Sequence, residues 1–264
     1  MALNITTLRS SSKGNCSFVT DGKTKILIDC GVSFKQIKEA LFNLEQDISD
    51  IDAVVITHEH SDHTKGIGVL SRNTDIPIFA NKETWQRMYM SYDGIKDNSI
   101  KVHRSKFAIG DIEITPFKIS HDAVNPVGYA FVKGTEKVAY LTDSGTITPE
   151  IESAVNGARQ IVLESNHDLV MLKNGIYPQQ LKNRILGNKG HLSNDSAGEF
   201  AQRLLASGTE KFILGHLSPE NNLPSIARSS FLLYMDKISA KEGKDFSVSV
   251  APANEPSHIK NTIR

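Results

Sequence analysis

The segment AVVITHEHSDHTKG, residues 53–66, constrains this chain more than any other. A continuous apolar run, DAVVIT over 52–57, reads as a strand covered on both faces and leads straight into His58, His60, Asp62 and His63. Zinc and related divalent ions favour imidazole nitrogen and carboxylate oxygen, so four such donors within six residues form a credible chelating loop. In a turn after a strand, His58 and His60 can face one ion while Asp62 and His63 face a second. Gly66 and Gly68 allow the tight backbone that follows.

Four distant segments repeat the layout of an apolar run ending in polar donors. ITPFKIS leads into His121, VAYLT into Asp143, QIVLE into Ser165, Asn166 and His167, and KFILG into His216. Ligands of open α/β sheets gather outside strand ends, so strands ending together would bring these side chains to one place. Two ions need about six to eight protein donors between them, with water at the open positions. His58, His60 and His121 can hold one, and Asp62, His63 and His216 the other. Asp143, with two oxygens, is placed to bridge them. Plainer roles stay open: Asp143 as the cap of a following helix, His216 as a core histidine. Histidine and carboxylate donors without cysteine suit zinc, manganese or iron alike.

Around these segments the pattern is α/β. Further strands are expected at 24–29, 76–80, 111–119, 127–132 and 246–250, and helices at 32–44, 83–90, 194–208 and 223–241. The first of these helices carries Phe34, Ile37, Leu41 and Leu44 on one stripe; the third has Ser193 and Asn194 as cap candidates and Gly208 at its stop. No linker or repeat divides the 264 residues, which predicts one domain over 1–264. Lysine plus arginine and aspartate plus glutamate both number 30, so no basic excess advertises nucleic acid, although a local basic face beside two ions would still attract a phosphate. MALNITTLRS lacks the apolar core of an export signal, no run is long enough to span a bilayer, and only Cys16 and Cys30 carry thiols. A cytoplasmic protein with two free thiols is the expectation, a disulfide the alternative.

THEHSDHTKG, ISHDA, LTDSG and ILGHLS, in that order, resemble the successive ligand motifs of the metallo-β-lactamase superfamily, from Thr7 to about Pro224. The resemblance implies a four-layered αβ/βα sandwich, two mixed β-sheets flanked by helices, with a dinuclear site at one edge. SSSKGNCSFV, LIDCG, LESNHD and GHLSNDSAGEFA are similar to the narrower WalJ (YycJ/VicX) family. That similarity implies a cytoplasmic 5′-to-3′ exonuclease acting on double-stranded DNA with a 5′ phosphate. It adds Asp29 in LIDCG as a carboxylate that hydrogen-bonds a ligand or loop. His191 in KGHLS resembles the histidine that ribonuclease Z relatives place near the leaving group, with Glu164 orienting it. Absence of the ribonuclease J cap domain and of the ribonuclease Z arm speaks against transfer RNA processing and long-RNA degradation.

The mechanism expected is phosphodiester hydrolysis by an ion-activated water, with Asp62 accepting its proton and His191 protonating the leaving oxygen. Ser11, Ser12, Lys13, Gly14 and Asn15 form a donor-rich turn that can cradle a terminal phosphate or be an ordinary hairpin turn. Asn166 and His167 stand as further substrate contacts or as props for a loop. Lys13, Arg184 and Lys189 are candidate phosphate contacts against the plainer reading of exposed surface. Rival functions are a glyoxalase II-type thioesterase, a cyclic phosphodiesterase, or a non-catalytic regulator linked to a two-component system. Asp62 beside His63 distinguishes the loop from that of single-iron dioxygenases. An exported β-lactamase does not fit a chain without an export signal.

Overall fold

The computed structural model describes residues 2–92 and 94–253; the rest of the predicted 1–264 domain lies outside the described residues. Six strands form one sheet in sequence order: β1 (Asn4–Arg9), β2 (Cys16–Thr20), β3 (Lys25–Ile28), β4 (Ala53–Val55), β5 (Ile78–Ala80) and β6 (Ile100–Val102). The first three pair antiparallel and the rest run parallel to β3. The parallel crossovers carry α1 (Phe34–Phe42), α2 (Ser61–Thr64), α3 (Ile67–Asn73) and α4 (Lys82–Ser91). Seven strands make the second sheet: β7 (Phe107–Ile109), β8 (Ile112–Lys118), β9 (Val127–Lys133), β10 (Glu136–Leu141), β11 (Gln160–Glu164), β12 (Lys211–Gly215) and β13 (Ser247–Val250). It repeats the plan, an antiparallel meander β7 to β10 followed by parallel β10 to β13. Its crossovers are α5 (Pro149–Val155), α6 (Leu169–Asn174), α7 (Gln179–Leu186), α8 (Asn194–Ala206) and α9 (Pro224–Lys237).

Three apolar clusters give the four layers. Ile5, Ile26 and Val55 of the first sheet meet Ile114, Tyr129 and Val162 of the second. Leu27, Val54 and Ile78 on the outer face of the first sheet pack against Ile37 and Leu41 of α1, Leu70 of α3 and Trp85 of α4. Ile161 and Leu214 of the second sheet cover Ile151 of α5, Phe200 of α8 and Phe231 of α9. The αβ/βα sandwich expected from the sequence is therefore the architecture observed, and the runs VVI, IVL and FIL are apolar throughout because both faces of β4, β11 and β12 are covered.

Local signals set most boundaries. Ser33 caps α1 in a capping box with Gln36. Ser193 caps α8 through the Ser196 amide, and Gly208 follows its end at φ +102°. Asn194, the other expected cap, instead sends its side chain into a buried amide network with Ser165 and Asn222. The last predicted helix closes early, at Lys237 rather than 241. Among the described residues no helix is long and apolar enough to cross a membrane.

Cys16 and Cys30 are free and fully buried, and burial pushes both thiols well above their ordinary range. Native protein is expected to resist an aromatic disulfide reagent and to release two reactive thiols only on denaturation. Prompt labelling of the native chain would contradict this packing.

Candidate metal centre

The strand ends meet as the pattern requires. Because β10, β11 and β12 are parallel neighbours, Asp143, Glu164 and His216 leave the second sheet at the same edge. β8 runs the same way and delivers His121 there. From the first sheet, parallel β3 and β4 deliver Asp29 and His58. His60 stands just before α2, and Asp62 and His63 lie in its single turn. Three of these residues, Asp29, Asp143 and His216, have left-handed backbones at φ 62°, 60° and 57°. A residue with a Cβ pays about 1 kcal/mol for that conformation, and such strain at converging strand ends marks a site whose geometry is over-determined by its surroundings.

Among the described residues, donor atoms within 4.8 Å of one another fall into four overlapping groups: His58 with His60 and His121; Asp62 with His63 and His216; His58 with His63 and Asp143; and Asp143 with Glu164, His191 and His216. Asp143 belongs to two of them. Its Oδ2 is buried without a hydrogen bond, although His63 Nε2 stands 3.2 Å away. The buried Nε2 atoms of His58 and His216 also lack hydrogen bonds. Orphaned polar atoms of this kind are costly unless something else binds them, and imidazole and carboxylate donors fit divalent ions.

Proton counting shows which ring nitrogen each histidine offers. The Thr57 hydroxyl donates its one proton to Asp29, so the proton between Thr57 Oγ1 and His58 Nδ1, 3.0 Å apart, belongs to the imidazole. His63 Nδ1 donates to Asp29 Oδ2 at 2.8 Å, His216 Nδ1 to Glu164 Oε1 at 2.8 Å, His191 Nδ1 to the same oxygen at 2.9 Å, and His121 Nδ1 to the Gly190 carbonyl at 3.3 Å. In the neutral form the Nδ1 proton leaves each of the five rings an Nε2 lone pair, that of His63 facing the Asn15 amide group at 3.2 Å, which is how hydrogen-bond partners behind ligating histidines fix tautomer and orientation. His60 completes the set with Nδ1 3.3 Å from His121 Nε2.

The electrostatics are those of an ion site. Burial pulls the His58 and His121 rings down. Burial raises Asp62, Asp143 and Glu164, but the neighbouring histidines outweigh it and hold all three below the carboxylate range, Glu164 at about 2. Burial also pulls His63 and His216 down. Asp143, Asp62 and Asp29 around the first, and Asp143, Asp62 and Glu164 around the second, reverse this and take His216 up to about 10. An ion taking either Nε2 must displace a proton. Ion uptake is therefore expected to release protons and to weaken as pH falls across the neutral range, by up to about tenfold per unit for each proton displaced. Calorimetry in two buffers of different ionisation enthalpy would measure this, and a pH-independent affinity would contradict it.

Several predicted contacts sit elsewhere than expected. The Ser11–Asn15 turn serves the chelating loop rather than an open cradle. Asn15 donates its amide to the Asp62 carbonyl, Gly14 to the Ser11 carbonyl and Lys13 to the Ser11 hydroxyl, while Ser11 donates to Asn15 Oδ1. Asn15 is fully buried with Nδ2 3.2 Å from His63 Nε2, so it props a ring and does not reach substrate. Gly31 donates to the Asn15 carbonyl, and a Cβ there would fall 1.5 Å from the Asp62 carbonyl oxygen, which explains the glycine of LIDCG. His167 is also withdrawn: 1% exposed, it hydrogen-bonds Asn166 and does not line the cleft. Asn166 and Ser12 do line it, as does His191. Lys13 is exposed near Glu220, Lys189 is exposed, and Arg184 lines the cleft while its Nε donates to Asp122 Oδ2 at 2.5 Å. Sequence reasoning missed Tyr177, Leu181, Ile185 and Ser218 in the cleft wall. The spacing of Leu181 and Ile185, four apart before Gly187, marks a helix but not which way it faces.

Comparison with known proteins agrees with this geometry. Residues 24–217 match the family described as the beta-lactamase superfamily domain. The chain is 40% identical over 246 residues to exodeoxyribonuclease WalJ of Streptococcus pneumoniae serotype 2, covering 91% of each chain. It is 35% identical over 263 residues to exodeoxyribonuclease YycJ of Bacillus anthracis, covering 98% of this chain and 99% of that one. Among solved structures, the metallo-beta-lactamase fold protein YhfI from Bacillus subtilis matches with a TM-score of 0.72 at 18% identity, over 97% of this chain and 99% of its own, a likeness of fold.

Proposed function

The chain belongs to the metallo-β-lactamase superfamily and, within it, to the WalJ/YycJ family, and from that premise we propose a metal-dependent 5′-to-3′ exonuclease that acts on double-stranded DNA carrying a 5′ phosphate. We read residues 1–264 as one domain working in the cytoplasm. His58, His60 and His121 would hold one divalent ion and Asp62, His63 and His216 a second, with Asp143 placed to serve both; zinc, manganese and iron all suit this donor set. Bound there, the ions supply Lewis acidity and a water acidified toward neutrality.

The chain's own groups do the rest. Asp62, a quarter exposed in the cleft and held ionised by His63 and His216, accepts the proton of the attacking water. His191 keeps its Nδ1 proton on Glu164 and, as the doubly protonated ring, gives the Nε2 proton to the departing 3′-oxygen and is left neutral. Asp29 fixes His63 and, through Thr57, His58. Ser12, Asn166 and Lys13 remain the candidate contacts for the 5′ phosphate; Asn15 and His167 do not. One observation carries the reading: two donor sets share a single cleft with an imidazole on its rim whose other nitrogen is committed to a buried carboxylate.

The test is incubation of manganese- or zinc-loaded protein with 5′-phosphorylated duplex DNA, single-stranded DNA and RNA. Mononucleotides released from the 5′ end of the duplex, and not by His60→Ala, are expected. No cleavage of any substrate with both ions confirmed bound would overturn the nuclease and bring thioesters and cyclic phosphodiesters forward.

A further inference from the structure

The cleft beside the donor groups has one wall that the hydrolytic machinery does not use. It is built by α7 and the turn before it, and it presents Tyr177, Leu181 and Ile185 with Arg184 at the edge. Such a wall is out of character for a site whose other lining side chains are all polar, since nothing in breaking a phosphodiester requires an aromatic ring and two aliphatic chains. It is also fixed to the machinery. The His191 amide donates to the Ile185 carbonyl at 3.1 Å, Arg184 Nε donates to Asp122 beside His121, and the Ser120 hydroxyl donates to the Asn188 carbonyl at 2.7 Å. At the other end, Gly175 approaches the loop after β12 so closely that a Cβ would lie 2.7 Å from Asn221 Oδ1. The wall is thus hydrogen-bonded at one end to the segments that carry His191 and His121 and packed at the other against the loop that follows His216.

We propose that Tyr177, backed by Leu181 and Ile185, is the stacking platform for the nucleobase of the terminal nucleotide that departs. This rests on the nuclease reading. The argument is one of sides. The bond broken joins phosphorus to the 3′-oxygen of the departing nucleotide, and that oxygen takes its proton from His191. The base attached to that sugar must therefore lie on the His191 side of the ions, which is where α7 stands. Every base has a π-face, so an aromatic ring with aliphatic flanks accepts any of the four without reading sequence, as an exonuclease that removes every terminal nucleotide requires. A platform at a fixed distance from the ions also sets the step, because the terminal base docks only when the bond behind it reaches the donor groups. Tyr177 is accordingly a positioning residue for substrate, acting through the base and not on the reacting atoms.

The test compares manganese-loaded wild type, Tyr177→Ala and Tyr177→Phe on two 5′-phosphorylated duplexes that differ only in whether the terminal nucleotide carries a base or is abasic. Wild type is expected to prefer the base by roughly 5- to 150-fold in kcat/KM, the range of one aromatic–base stack. Tyr177→Ala should bring that ratio close to one, and Tyr177→Phe should keep it, since the ring and not the hydroxyl stacks. In parallel, a terminal 2-aminopurine should be quenched on binding to His60→Ala, and the quench should vanish when Tyr177→Ala is added. A wild-type enzyme that cuts both duplexes equally, a Tyr177→Ala variant that keeps the preference, or a Tyr177→Phe variant that loses it would each overturn the platform while leaving the nuclease standing. Wild type inactive on every duplex would instead overturn the nuclease, and the platform with it.

Discussion

Asp143→Ala is expected to lose bound metal and to lower kcat/KM by at least about 10³-fold, because loss of a mere hydrogen-bonding partner behind a ligand already costs about 10- to 100-fold. Among the described residues, Asp143 is the one carboxylate whose oxygens face donors from both sets. Oδ2 stands 3.2 Å from His63 Nε2, and Oδ1 stands 3.4 Å from His216 Nδ1 and 3.8 Å from His121 Nε2. Removing it also removes the charge that helps draw protons, and therefore ions, to His63 and His216. Its helix-cap alternative does not apply, since Thr148 caps α5. Asn is the informative control. It tolerates the left-handed backbone at φ 60°, as Asp does and Ala does less well, and it keeps one oxygen of two. Asp143→Asn should therefore fold normally and fall between wild type and Ala in metal content by elemental analysis. Full metal content and near-wild-type rate in Asp143→Ala would refute the bridging role.

The contrast between Asp143 and Asn15 shows what kind of information the sequence carried. A candidate donor such as His58, Asp143 or His216 is legible because ion chemistry limits the residue types and because each follows a continuous apolar run whose end is a place in space. Strand direction was an assumption at that level; the parallel pairing of β10, β11 and β12 makes the ends coincide. Asn15 was misplaced because a donor-rich turn looks the same whether its amides face solvent or another loop. Here they close on Asp62, 47 positions later, and only tertiary structure reveals that. β6 and β7, three residues each, are too short for a period to register. α7 is illegible for a different reason. Leu181 and Ile185 have the spacing of any amphipathic helix, and nothing in that spacing distinguishes a face turned to a core from one turned to a cleft. The left-handed backbones of Asp29, Asp143 and His216 are likewise invisible in their letters, because neither Asp nor His demands that conformation.

Glu164 makes the second large effect predictable from hydrogen counting. It is fully buried and accepts four hydrogen bonds, from His191 and His216 Nδ1 on Oε1 and from the Ser144 and Leu192 amides on Oε2. The sequence resemblance tied it to His191 alone; the structure ties it to His216 as well. Glu164→Gln offers one acceptor oxygen and one NH2 group. Backbone amides cannot change their polarity, so the oxygen must turn toward Ser144 and Leu192, and the NH2 group then faces the two imidazoles. Each ring can accept from it at Nδ1 only by carrying its own proton on Nε2, the nitrogen that faces the cleft. The expected result is a variant that folds with nearly wild-type stability and binds ions about 10- to 100-fold more weakly. Nitrogen NMR of the metal-free His216 ring would show Nδ1 without the proton it carries in wild type and the Nε2 proton retained. Glu164→Ala should behave otherwise: it leaves three buried donors and the half-buried His191 without an acceptor, each buried one costing about 1–3 kcal/mol, and should melt far lower. If Glu164→Gln bound ions as tightly as wild type, the tautomer argument for every ring in the cleft would fail with it.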